Sequence, residues 1–194
     1  MKRSDIIIKL ENALSIFDQC YILYADLIYL KQLSENEEQL FQEFRFLMRN
    51  IDYEWKLLII DLYKLFKGSE HHSISKILNI LVENHKNLVW KNRIELSRLK
   101  AFQKDLEDNK LKETLTTLYN LREKFIAHLD NNSKDYLSTL NIEKVKLLMD
   151  FGEKCLTETY YSLCDGKYLF NHLQFSGIET ITNKILELKE NQVE

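Results

Sequence analysis

Proline is absent from the 194 residues, and glycine occurs only four times. Folds built from short strands need such residues at turns, roughly every 8–12 positions. A chain without them must run in long uninterrupted elements, and helices meet that condition best. Cysteine is scarce too. Cys20, Cys155 and Cys164 are odd in number and lack CxxC or metal-ligand spacing, which excludes a disulfide scaffold and predicts reduced, partly buried thiols. No run of about 18 apolar residues occurs, and the richest stretch, residues 21–30, contains Asp26. Met1-Lys2-Arg3-Ser4-Asp5 leads into an apolar stretch broken by Lys9 and Glu11, unlike a secretory signal. These absences predict a cytoplasmic chain that makes no membrane contact. An excess of positive charge is also missing: 27 Lys and Arg stand against 30 Asp and Glu, for a net charge of −3. A protein that coats nucleic acid wholesale is thereby excluded, so any RNA contact must come from a local patch.

What is present suits a packed helical domain. Hydrophobic residues make up 45% and charged residues 29%, enough apolar material for a core and too little charge for disorder. Leu10, Leu14, Phe17, Tyr21, Tyr24 and Ile28 recur at three- and four-residue steps, predicting a first helix over residues 4–30. Ser34 and Glu37 form a capping-box signature at the start of a second, which Gly68 would end. Its apolar face includes Leu40, Phe44, Leu47, Ile51, Trp55, Leu58, Leu62 and Leu65. Further helices are expected over residues 75–83, 86–106 (either continuous or broken near Val89), 110–129, 141–166 and from 176, where Glu179 completes a second capping box. The expected fold is an all-α bundle of six or seven long amphipathic helices. It forms a single domain over 1–194, in which 167–194 can be a C-terminal helical extension.

The helix over 110–129 carries the most informative chemistry. At about 100° per residue, Leu111, Leu115, Leu118, Phe125 and Leu129 lie on one stripe, and Arg122 lies with them. A guanidinium on an apolar face must be paired or functional. It either bonds a core carboxylate such as Asp26 or Asp61, snorkels to solvent, or serves a site. His128 stands at the edge of the same stripe. An imidazole moves protons near neutral pH, and a guanidinium holds a phosphate and stabilises developing charge, so the two together can cleave a phosphodiester without a metal. His71, His72 and His85 lack acid or Cys partners at ligand spacing. Neither metal nor cofactor is expected.

Lys86, Lys91, Arg93, Arg98, Lys100 and Lys104 form a basic stretch opposed only by Glu95. On a continuous helix, Lys86, Arg93, Lys100 and Lys104 would share one face, opposite Leu88, Leu96, Leu99, Phe102 and Leu106. That face is either simply solvated or a track for RNA phosphates, with Trp90 placed to stack a base.

The segment Leu121-Arg122-Glu123-Lys124-Phe125-Ile126-Ala127-His128-Leu129-Asp130 resembles the signature of the HEPN superfamily, an arginine followed after four to six residues by a histidine on a late helix of an all-α bundle. With Lys124, Ala127 and Asp130 around the pair, and with the segment from Trp55 to Phe66 ending Asp61-Leu62-Tyr63-Lys64-Leu65-Phe66, it is most similar to the abortive-infection (AbiU-like) branch. The likeness spans about residues 5–165. It implies a metal-independent endoribonuclease that works as a homodimer, typically a toxin or antiviral effector held by an antitoxin or sensor protein. Arg122 and His128 would be the catalytic pair, supported by Glu123, Lys124 and Asp130. The family usually has a small polar residue after the arginine. Glu123 departs from this, and a carboxylate there would repel the phosphate or neutralise Arg122. The alternative is therefore a non-catalytic module that binds RNA, nucleotide or protein. Relatives controlled by modification of a tyrosine two residues after the histidine differ here, where that position is Asp130.

Overall fold

The computed structural model describes residues 2–123, 140–168, 170 and 177–191. Among them the chain is all-helical, with eight helices: α1 (Arg3–Leu30), α2 (Glu35–Glu43), α3 (Arg45–Phe66), α4 (Ile74–Asn84), α5 (Leu96–Leu106), α6 (Asn109–Leu121), α7 (Ile142–Leu163) and α8 (Gly177–Glu190). Side-chain caps set several starts. Ser34 accepts the Glu37 N–H while the Glu37 carboxylate accepts the Ser34 N–H at 2.6 Å, completing the capping box read from the sequence. The side chains of Ser73, Asp108 and Asn141 each accept a backbone N–H at the start of α4, α6 and α7, without the reciprocal bond.

Two expectations are corrected. The helix expected from Ser34 to Gly68 is two, because Phe44 adopts an extended conformation (φ −101°, ψ 90°) that ends α2. No proline or glycine marks this break. The helix expected over 86–106 begins only at Leu96. Residues 85–95 are irregular because they satisfy the end of α7. The Lys91 and Asn92 N–H groups both donate to Ser162 O, at 3.1 and 3.2 Å, and the Asn92 side chain donates to Tyr161 O at 3.0 Å. The Arg3 guanidinium donates to Leu163 O. The last carbonyls of a helix have no partner within it, so these contacts outweigh the helical preference of the segment.

The chain divides into two compact units, one of residues 1–17 and 59–169, the other of 18–58 and 170–194. In the first, α1 buries Ile6, Leu10, Leu14 and Phe17, and α7 buries Val145, Leu148, Met149 and Leu156. Leu99 and Phe102 of α5 and Leu111, Leu115 and Leu118 of α6 are buried as well. The second unit has a small core of Leu40, Phe41 and Ile178, against which Tyr29, Leu30, Leu33, Ile51, Ile185 and Leu186 pack. Asp26 is buried there and accepts the Ile178 N–H at 3.4 Å, a carboxylate at the positive end of α8. Among the described residues α1 alone has the length and apolar content of a membrane-crossing helix, with mean hydropathy 1.2 in its most apolar window. Cys20 and Cys155 are buried, Cys164 is half-buried, and all three are free thiols.

Glu54 in the second unit is half-buried, and its Oε2 has no described partner. Burial first, and the charge of Asp26 second, push its carboxyl up to about 7. The folded state therefore keeps this proton up to about pH 7, while the unfolded chain loses it near the ordinary carboxyl value. Stability is greatest below that ordinary value, falls as pH rises through the window between the two, and levels off above about pH 7. Allowing for solvent around a partly exposed group, the loss should be about 1–2 kcal/mol. Urea unfolding at pH 5 and pH 8 checks this. Glu54→Gln should flatten that dependence and raise stability mainly at pH 8. An unchanged slope in the variant would place the effect elsewhere.

Candidate functional site

Arg122 follows the last residue of α6 with helical backbone angles (φ −60°, ψ −45°), and its N–H donates to Leu118 O and Tyr119 O. The arginine is half-buried, and its guanidinium lies 4.8 Å from the centre of the Tyr63 ring of α3. The expected carboxylate partner in the same unit does not take it: Asp61 pairs with Lys64 at 2.7 Å. Among the described residues no acid pairs with Arg122. Glu123 is exposed. Lys124, His128 and Asp130 lie outside the described residues.

The Tyr63 ring is the centre of a cluster. Tyr119, one turn before Arg122, meets it edge-on at 5.6 Å and donates its hydroxyl to Phe66 O at 2.8 Å, satisfying a carbonyl at the end of α3. The Lys67 ammonium, just past α3, sits 4.5 Å from the centre of the Tyr119 ring and 5.8 Å from that of Tyr63. Two cations thus lie against an edge-to-face pair of phenols, each within cation–π range. Burial, and then Tyr63, push the Tyr119 hydroxyl up to about 12, so it stays neutral and acts as a donor. Tyr63 stands in the segment that carried part of the family resemblance. Lys67 and Tyr119 were not singled out by the sequence; the three-residue step from Tyr119 to Arg122 was the one available signal.

Tyr119 is also a wall of a cleft of about 460 Å³, lined in addition by Phe66, Gly68, Ser75, Asn79, Gln103, Leu106, Glu107 and Leu115. A second, shallower cleft of about 330 Å³ is lined by Asn92, Arg93, Ile94, Glu158, Tyr161 and Ser162.

The proposed RNA track is not one helical face. Lys100 and Lys104 are exposed on α5, one turn apart. Lys86 and Arg93 are exposed but sit in the irregular segment before it. Trp90 is half-buried there, and its indole N–H donates to His85 O at 2.9 Å, while the His85 ring donates to Ile94 O at 2.7 Å. The indole thus fastens the segment. Arg98 is engaged by both oxygens of Glu158. Among the described residues no group of His, Cys, Asp and Glu is placed to hold a metal ion.

Comparison with protein-family models, with curated proteins and with solved structures gave no match to this chain.

Proposed function

We propose that the chain is a metal-independent endoribonuclease of the HEPN type, a cytoplasmic toxin or antiviral defence effector acting as a homodimer. The observation that carries this reading is Arg122. It is a half-buried guanidinium held on a tyrosine face with no described carboxylate partner, at the end of a late helix in an all-helical chain. A guanidinium so placed is available to a phosphate. The Ala127-His128-Leu129-Asp130 sequence that follows supplies the proton-transfer group.

The chemistry needs no added reagent. The ribose 2′-oxygen attacks the adjacent phosphorus as its proton passes to a base, and the bond from phosphorus to the 5′-oxygen breaks as that oxygen gains a proton. His128 takes or gives the proton, and Arg122 holds the non-bridging oxygens where negative charge develops. Lys67 adds a second cation to the same tyrosine pair. The products end in a 2′,3′-cyclic phosphate and a 5′-hydroxyl. Purified protein incubated with total RNA and excess EDTA should yield such ends. Cleavage that stops on adding EDTA would overturn the reading.

The non-catalytic alternative rests on Glu123, exposed and adjacent to Arg122. It predicts that the same incubation gives bound but intact RNA, with an antitoxin-like or sensor protein partner as the other ligand class.

A further inference from the structure

The cleft beside the cation–tyrosine cluster has the chemistry of a base-reading pocket. Its volume of about 460 Å³ lies in the range of small-molecule sites. Phe66, Leu106 and Leu115 give it apolar walls suited to the faces of a planar ring. Its polar groups are few and of distinct kinds. The Gln103 amide donates to the Asn79 side-chain oxygen at 2.7 Å. That bond fixes the pair, leaving the Asn79 amide N–H groups and the Gln103 carbonyl without a partner among the described residues.

Charge is distributed along the cleft. Glu107 caps the end of α5 just before α6, and Tyr119 lies in the last turns of α6, about 15 Å further by helical rise. The carboxylate and the ring that carries Lys67 thus line the cleft from opposite ends of α6. An occupant must present hydrogen-bond donors at the first end and negative charge at the second. A nucleotide does so, with its base toward Glu107 and its phosphate toward Lys67 and Arg122. Among the four bases, guanine alone offers two adjacent N–H donors on its pairing edge, which match the two oxygens of a carboxylate. Its O6 and N7 acceptors suit the Asn79 amide. Glu107 is held by Lys112 at 3.4 Å, but both side chains are mostly exposed, so that pair yields readily.

We infer that this cleft binds a guanine nucleotide, the base beside the phosphate that Arg122 holds. The inference rests on the ribonuclease reading for the guanine's being part of an RNA chain; binding of the nucleotide itself does not depend on cleavage. Isothermal titration of the full chain with the four nucleoside 5′-monophosphates, and with ribose 5-phosphate, tests it. Guanosine 5′-monophosphate should bind at least tenfold more tightly than the other four probes. Glu107→Gln should remove that preference and leave the other three nucleotides unchanged. Lys67→Ala should weaken all four nucleotides by a similar factor and reduce their salt dependence. Equal affinities for the four, no binding of any, or an intact preference in Glu107→Gln would each overturn the pocket. A guanine preference in a protein that leaves RNA intact would instead retain the pocket and discard the nuclease.

Discussion

Alanine at Arg122 or at His128 is expected to lower RNA cleavage by roughly 10²–10⁴-fold while leaving the fold intact. The range is that of removing a general acid or base, or one charge-stabilising donor, from a preorganised site. Arg122 lends itself to this test because its structural role is modest. The half-buried guanidinium rests on the Tyr63 ring and holds no described ion pair. Truncation therefore forfeits about 1 kcal/mol of cation–π contact and strands no buried acid. Loss of activity with an unchanged thermal midpoint is the expected pattern. A variant that unfolds in parallel with its loss of activity would make Arg122 a packing residue.

The same pair tests how the site is assembled. On a straight helix, six residues separate the two side chains by about 9 Å of rise and about 120° of rotation, which one phosphate cannot easily bridge from a single chain unless the helix bends before His128. A two-fold axis beside this helix would set Arg122 of one protomer against His128 of the other, with Ala127 allowing close approach. In a one-to-one mixture of Arg122→Ala and His128→Ala chains, half the dimers then pair the two variants, and each of those holds one complete site. Roughly a quarter of the native activity should return. Light scattering should give twice the 23.3 kDa chain mass. A mixture as inactive as its components, or a monomer at tens of micromolar, would refute the shared site.

Helix starts were legible because they are local. Ser34 with Glu37 caps α2 as its side-chain chemistry dictates, and Asn141 stands at the start of α7, where the sequence placed it. The breaks were less so: nothing in the sequence marks the one at Phe44, and tertiary contacts set the extent of the one before Leu96. Nothing between Lys86 and Glu95 forbids a helix; the unpaired carbonyls of Tyr161 and Ser162, some 70 positions later, draw the segment out of it. The alignment of the basic residues on one face depended on that helix and is lost with it. Arg122 stood out because a charge on an apolar stripe is visible in one dimension. Lys67 reaches Tyr119 only because α3 and α6 bring residues far apart in sequence together, and Asp26 reaches the start of α8 across an even longer separation.

Gly152 carries the largest expected effect on stability. Glycine within a helix ordinarily costs about 1 kcal/mol relative to alanine, so Gly→Ala in a helix should stabilise. Here the sign reverses. A Cβ built at Gly152 of α7 would stand 2.5 Å from Cε2 of Phe17, 3.2 Å from Cδ2 and 3.4 Å from Cζ. No real Cβ tolerates the first of these distances, and the obstacle cannot swing aside. Phe17 is fully buried, so its ring has no solvent to move into, and the helices must part or the ring must leave its rotamer. Overpacking of this kind costs about 1–3 kcal/mol, occasionally more, and outweighs the regained helix propensity. Gly152→Ala should therefore lose about 2–3 kcal/mol in urea unfolding. The cause can be isolated by a second change. Phe17→Leu alone leaves a void and is destabilising, but it also removes the ring atoms that the new methyl meets. Combined, the two should cost less than their sum by about 1 kcal/mol or more, the coupling expected of side chains that compete for one space. If the two costs add, or if Gly152→Ala is as stable as the native chain, the close approach of Phe17 to α7 is wrong.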